Sequence, residues 1–332
     1  MKKRIPFFIK IDFLMQVFMI LFFVAYSHLL AQDSPNNCSS TLNALPQESA
    51  AGENFIFFTD AQLTDLGHRL WETYNSEKKI ILWDERGFAC VGIAQFLWEP
   101  AGVNTIFGDD WRSCALALKS QGVALEDWML GPSPWSSEEE FNRAVEQHDP
   151  RLEQLRVSLS TPLVIREQAR VIVERFQKAL FLNSENSILN NLPPGEAELL
   201  LANAKAVANV CDENQRPLGL FALIDYTHFK GEGLDGGYNT QSWGLQRVLW
   251  NMQNIDPAFV RTHSALEIFV ASAEEILEER ILNYRIERDR NNTPVPNDKP
   301  DAHFDESVYR DFWYNHLNNY FSWPEAFTQQ LN

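Results

Sequence analysis

The sequence predicts a mainly α-helical protein that carries one small β-hairpin. Three observations lead there. Apolar residues recur at helical spacing over much of the chain, as at Leu63, Leu66, Leu70 and Tyr74, and again at Leu266, Phe269, Val270, Ala273, Ile276 and Leu277. In one place, two short apolar runs, Lys79–Trp83 and Phe88–Trp98, flank the turn-forming Asp84-Glu85-Arg86-Gly87, which reads as a hairpin, although the second run also accommodates a helical turn. No Gly- or Ser-rich linker interrupts residues 55–290, so residues 55–332, about 280 in number, read as a single mainly helical domain.

Taken in order, Thr59–Tyr74 reads as a helix with Thr59 as its cap. Trp111–Lys119 and Glu138–Val145 are short helices, Thr161–Leu182 is a long one, and Glu196–Val210 is another. Leu218–Tyr226 is a buried apolar stretch compatible with helix or strand. Thr240–Met252 reads as a helix capped by Thr240, and Pro257–Arg288 as the longest helix. Asn291–Pro300 is a polar loop with three prolines, and Asp305–Phe321 is an aromatic closing helix.

The chain opens as an export signal. Lys2, Lys3, Arg4 and Lys10 precede Phe13–Tyr26, fourteen residues apolar except for Gln16. That length suits a signal-peptide core rather than a membrane span, which needs about 20 residues. Leu29-Leu30-Ala31 is a suitable cleavage site, so residues 1–31 are expected to be removed and the product periplasmic or secreted. An uncleaved anchor over residues 13–31 is the alternative, weakened by Gln16, Ser27 and His28. Residues 32–54, rich in Ser, Asn, Pro and Ala, read as a flexible lead-in, and no membrane span is expected after cleavage.

The net charge is −17, and the first 31 residues contribute +3 (four basic residues against Asp12), which leaves −20 on the remainder. A body so acidic is repelled by nucleic-acid phosphates and anionic membranes, so neither is an expected partner. Solubility alone also accounts for the charge. The 10 Trp and 23 Phe either line a sugar-binding groove or fill core. Cys38, Cys90, Cys114 and Cys211 are compatible with a disulfide in an exported protein or with buried thiols. No Cys/His spacing suggests a metal, and no cofactor is expected.

The sharpest local feature is Asp225-Tyr226-Thr227-His228-Phe229-Lys230-Gly231-Glu232-Gly233, followed by Gln241, Ser242 and Trp243. It sets an acidic and a basic side chain in a glycine-flanked turn that leaves an apolar segment. Glycines permit close approach of a ligand, and a Glu against aromatic surface suits a general acid. The structural alternative is a plain turn in which Lys230 pairs with Asp225 or Glu232. His228 has no partner at metal-ligand spacing. Asp301, His303, Asp305 and Glu306 cluster in a Pro-rich loop and read as solvated surface.

This loop carries a resemblance. Ala222-Leu223-Ile224-Asp225-Tyr226, Phe229-Lys230-Gly231-Glu232-Gly233, Tyr238 and Trp243-Gly244-Leu245-Gln246-Arg247-Val248-Leu249 resemble a family of exported bacterial proteins, mostly uncharacterised, with an Ile-Asp-Tyr-x-Asn-Phe-Lys-Gly-Glu-Gly block and a Gly-Trp-Gly-Leu block. Gly92-Ile93-Ala94-Gln95-Phe96-Leu97-Trp98-Glu99-Pro100 is similar to that family's Gly-Ile-Gly-His-Phe-Ile-Trp-x-Pro block. Pro134-Trp135 and the helices over residues 161–175 and 265–280 fall in place as well. The family's first half, a Glu at the end of a first helix before a hairpin, is in turn similar to phage-type lysozymes, where that Glu is the general acid. The resemblance implies a lysozyme-like fold and action on a cell-envelope polysaccharide such as peptidoglycan.

The chain departs from that pattern in its first half. The family's Asn-Glu falls at Thr73 and Tyr74, its Gly-Glu near the turn at Arg86-Gly87, and its His at Gln95. Glu72 and Glu77 lie nearby, although Glu72, two residues from Tyr74, points to another helix face. The resemblance therefore implies a weakened glycoside hydrolase relative. Glu232 and Glu72 are its candidate catalytic acids, and Asp225, Lys230, Gln95, Trp98, Gln241 and Trp243 its candidate substrate contacts. The alternative is a non-catalytic extracytoplasmic binding or interaction protein. The 225–233 loop and the Gln95 segment are expected to line one cleft, because both are polar islands in apolar stretches.

Overall fold

A computed structural model of the chain describes residues 58–74, 80–84, 86–105, 108–180, 187–190, 192–193, 195–234, 240–290 and 306–323. The expected signal and lead-in, Glu77, Cys38 and residues 301–305 lie outside them. The protein is mainly α: eleven helices and one small antiparallel sheet are found among the described residues. None of the described helices is long and apolar enough to cross a membrane. Contacts divide the chain into two compact units, one of Phe55–Gln177 with Arg285–Asn332, the other containing Lys178–Tyr284.

The first unit holds the sheet. Helix α1, Asp60–Tyr74, begins where the Thr59 hydroxyl accepts the amide of Gln62 at 3.2 Å while the Gln62 side chain accepts the Thr59 amide at 2.8 Å, a reciprocal cap. Leu63, Leu66 and Leu70 bury its apolar stripe. Strands β1 (Ile81–Asp84), β2 (Phe88–Val91) and β3 (Phe96–Trp98) pair in that order, with Ile81 opposite Val91 and Val91 opposite Phe96. Gly87, at φ +98, closes the first turn. The run expected to continue as one strand is broken at Gly92 (φ +83) and Gln95 (φ +57), whose left-handed backbones fold it into a second tight turn and hence a third strand. Helices α2 (Asp110–Ser120), α3 (Glu138–Glu146), α4 (Pro150–Leu159) and α5 (Pro162–Leu180, as far as Gln177 in this unit) follow. α4 has no counterpart in the sequence expectations; Asp149 caps it and Pro150 supplies its first turn. Trp98, Trp111 and Trp135, each no more than 1% exposed, fill the core beside the sheet. The last helix, α11 (Glu306–Asn318), leads into a 3₁₀ turn at Asn319–Phe321. There Arg69 of α1, itself buried, donates to the carbonyls of Asn319 (3.0 Å) and Ser322 (2.7 Å) and lies 4.3 Å from the centre of the Trp323 ring.

The second unit is helical: α6 (Glu196–Ala208), α7 (Leu218–Lys230), α8 (Leu245–Asn251), α9 (Pro257–Val260) and α10 (Ala265–Arg290, as far as Tyr284 in this unit). The apolar stretch open to helix or strand is helix α7, and every residue of it from Leu218 to Thr227 is buried. Gly219 seats it directly on α6: a Cβ there would lie 1.7 Å from the Val207 carbonyl oxygen. Buried Asn203 of α6 donates to the Leu249 carbonyl of α8 at 2.8 Å, and buried Ser272 of α10 to that of Val248 at 2.8 Å. Two expectations need correction. Thr240 caps no helix. Its φ is +61, and α8 begins five residues later. The helix expected over Pro257–Arg288 is two, because Ser264 and Glu267 form a reciprocal cap (Ser264 amide to Glu267 Oε2, 2.7 Å; Glu267 amide to Ser264 Oγ, 3.3 Å) that starts α10 afresh. Cys90 and Cys114 are free and buried, and Cys211 is disulfide-bonded.

Candidate functional site

The described parts of the 225–247 segment form a built structure inside the helical unit. α7 ends at Lys230, where Gly231 turns out of the helix at φ +82 while its amide still reaches the Thr227 carbonyl at 2.9 Å. The carbonyls of Gly231 and Glu232 then accept the amides of Leu245 (3.0 Å) and Gln246 (2.9 Å), so first-turn donors of α8 are satisfied by the loop backbone. Gly233 and Gly244 meet where no side chain fits: a Cβ on Gly244 would lie 2.3 Å from the Gly233 nitrogen and 2.7 Å from the Gly231 oxygen. Two glycines are needed here for close backbone approach.

This frame positions Trp243. The Tyr226 hydroxyl, buried under the loop, donates to the Trp243 carbonyl at 2.9 Å, and the Tyr226 ring meets Phe269 edge-on at 5.5 Å. Burial pushes the phenol pKa far up, so Tyr226 stays a neutral donor. The half-buried indole of Trp243 lies against Arg280 of α10, with the guanidinium carbon 4.2 Å from the ring centre. Next to it the exposed Gln241 accepts from Arg247 (3.0 Å) and Asn283 (3.2 Å), and Arg247 also pairs with Glu279. Lys230 and Glu232 are half-buried at the loop's start, and Lys230 Nζ sits 3.8 Å from the Phe229 ring centre. Asp225 is 0% exposed, so it lies beneath this surface rather than on it. The result is a backbone-clamped loop that carries Lys230 and Glu232 at its start and, past the clamp, an indole packed on Arg280 beside the Gln241–Arg247–Asn283 hydrogen bonds. Thr240 adds local strain, since a β-branched residue at positive φ is an outlier.

Sequence reasoning missed Arg280, Asn283 and Glu279 as members. The available signal was polar Arg280 and Asn283, three residues apart, interrupting the apolar stripe of a long helix.

The remaining candidates belong to the sheet unit, so Gln95 and Glu232 lie in different units. Glu72, near the end of α1, is half-buried, and burial raises its carboxyl pKa while Arg69 opposes the rise. Tyr74, where the resemblance places an acid, packs edge-on against His316 at 5.0 Å. Gln95 is the half-buried residue of a turn whose other members, Gly92, Ile93 and Ala94, are buried. Trp98 is corrected from a stacking surface to a core residue. It is 0% exposed, its indole N–H donates to the Gly131 carbonyl at 2.8 Å, and Trp111, Trp128 and Trp135 surround it with ring centres 5.8, 5.9 and 6.0 Å away. Asp109, which the sequence did not single out, caps α2. Burial pushes its carboxyl up to about 6, aided by the charges of Glu99 and Asp110 and opposed by Arg112.

Comparisons with protein-family models, with curated proteins and with solved structures gave no match.

Proposed function

We propose that this is an exported protein that binds a cell-envelope polysaccharide of the peptidoglycan type, with weak or no hydrolytic activity. One observation carries the reading: the backbone-clamped Trp243, packed against Arg280, in the same clamped loop as Lys230, Glu232 and Gln241. Sugars are bound by an apolar ring face together with hydrogen-bonding side chains of mixed polarity, and this cluster supplies both. The resemblance to exported, lysozyme-like proteins supports the same class of ligand.

Weak hydrolysis follows from the chemistry of the groups present. Glycosidic cleavage needs a proton at the leaving oxygen. Tyr74 is a poor donor at neutral pH, since an ordinary phenol pKa is about 10. Gln95 forms hydrogen bonds but does not shuttle a proton as His does. Glu232 remains as an acidic group at the loop, and Glu72, near the end of α1, is a carboxyl whose pKa burial raises, as suits an acid.

The test is a pull-down on purified peptidoglycan run alongside a turbidity assay. Binding without clearing is expected, and Trp243→Ala should weaken it. Robust cleavage abolished by Glu72→Gln or Glu232→Gln would establish a working hydrolase instead. Absence of binding to any envelope glycan by the folded protein would leave the second reading, an extracytoplasmic protein-interaction role, which the replacement of the family's Glu and His by Tyr74 and Gln95 favours. N-terminal sequencing of protein from the producing cell tests export: a start near Gln32 is expected, and an intact Met1 on a cytosolic product would refute it.

A further inference from the structure

The exposed carboxamide of Gln241 is held by the protein at one end only. Its Oε1 accepts from Arg247 Nη2 at 3.0 Å and from Asn283 Nδ2 at 3.2 Å. A guanidinium has donors and no acceptor, so the end that faces it is the carbonyl oxygen and the NH2 group is turned away. Arg247 is itself paired with Glu279, which fixes that end further. Among the described residues, none accepts from Gln241 Nε2. The backbone on either side is also set. Thr240 is held at φ +61, the Ser242 hydroxyl accepts the Gly244 amide at 3.1 Å, and Tyr226 clamps Trp243. A β-branched residue keeps a left-handed backbone only when its surroundings enforce it, and such strain clusters at ligand sites.

We propose that Gln241 selects N-acetylated sugars by donating its Nε2 hydrogens to the carbonyl oxygen of an acetamido group. The inference rests on the reading of this loop as a glycan site. With Oε1 engaged by Arg247 and Asn283, the side chain offers a ligand donors and no acceptor. A sugar hydroxyl both gives and accepts, and half of its bonding goes unmet there. An amide carbonyl only accepts, and is met in full. A carboxylate also accepts, but Glu279 stands at Arg247, Glu232 lies in the same loop and the chain carries a net charge of −17, so a neutral acceptor is favoured over an anionic one. Arg247 and Asn283 are positioning residues: they orient the carboxamide before the sugar arrives, which leaves little ordering to be done on binding.

The test is an NMR titration of the full mature chain with two uncharged β-1,4 tetramers, one of N-acetylglucosamine and one of glucose. The wild type should bind the acetylated tetramer about tenfold more tightly, and only that sugar should shift the side-chain NH2 resonances of Gln241. Unshifted resonances at saturation would overturn the proposal whatever any variant does. Gln241→Glu keeps an acceptor for Arg247 and Asn283 but offers no donor. It should lose the tenfold preference and leave binding of the glucose tetramer unchanged; a preference that survives in this variant would also overturn the proposal. Equal binding of both tetramers by the wild type, abolished by Trp243→Ala, would refute selection by Gln241 while the glycan reading stands. Binding of neither would refute it as well, and the pull-down on peptidoglycan then decides the glycan reading by itself.

Discussion

Arg280 lies over Trp243, its guanidinium carbon 4.2 Å from the ring centre, although the two are 37 positions apart in sequence. Arg280 is only 9% exposed, so the contact is largely desolvated, where such pairs are strongest. Arg280→Gln should therefore cost about 1–2 kcal/mol of stability in urea unfolding and weaken glycan binding. Arg280→Lys should recover only part of either, since an ammonium does not stack as a planar guanidinium does. Equal behaviour of the Lys variant and the wild type would argue against stacking as the source.

The glycine contact gives a graded prediction. Gly244→Ala places a Cβ 2.3 Å from the Gly233 nitrogen and should prevent native packing of the loop, seen as loss of cooperative unfolding or of soluble expression. Gly87→Ala meets nothing within 4 Å and bears only the left-handed backbone at φ +98, so about 1–2 kcal/mol is expected. Similar losses for the two would contradict the close approach.

Asp109 predicts a pH dependence. Its folded-state pKa of about 6 lies above the ordinary 3.8, so the folded state holds this proton more tightly than the unfolded one. Its contribution to stability is thus greatest below pH 3.8, declines as pH rises toward about 6, and stays lost above. Asp109→Asn preserves a good helix cap and removes the charge. The variant should gain stability on the order of 1 kcal/mol at pH 7.5 and none at pH 3.5, measured by denaturant titration at both values. A gain of equal size at both would exclude titration of Asp109 as the cause.

The cysteines separate by reagent. Burial raises the thiol pKa of both Cys90 and Cys114, with the charge of Asp84 adding at Cys90 and that of Asp110 at both. Neither should react with iodoacetamide at pH 8 until the protein is unfolded, whereas Cys211 should be labelled only after reduction. Peptide mass spectrometry distinguishes the two cases, and labelling of Cys211 without reductant would refute its disulfide.

Periodicity made the helices legible because their stripes are regular: Leu63, Leu66 and Leu70 are all buried as the spacing requires. Where the sequence misled, local chemistry outweighed periodicity. The apolar run through Pro257–Arg288 is continuous in pattern, but Ser264 and Glu267 cap each other and begin a new helix within it. The Phe88–Trp98 run is continuous in hydropathy, but Gly92 and Gln95 take left-handed backbones. α4 went unread although Asp149-Pro150 is a helix start with Leu152, Leu155 and Leu159 behind it. In the candidate site the loop residues were visible as a polar, glycine-marked island. Their partners Arg280 and Asn283 were not, because only the fold brings α10 beside Gln241 and Trp243. Trp98 was misread because composition does not distinguish an aromatic residue on a surface from one inside a cluster.

The seat of α7 on α6 at Gly219 has a consequence for how this protein can drift. Main chain rests on main chain there, with the Gly219 amide also donating to the Val210 carbonyl at 2.9 Å. The height at which α7 delivers Lys230 is therefore fixed by a stop that no neighbouring side chain defines. Apolar residues around it, such as Leu220, Leu223 and Leu200, can be exchanged for others of similar volume while the loop stays at its level. Position 219 alone has no such latitude. Among divergent copies, the lineage of this loop would be traced more reliably by a glycine at that point than by the leucines beside it.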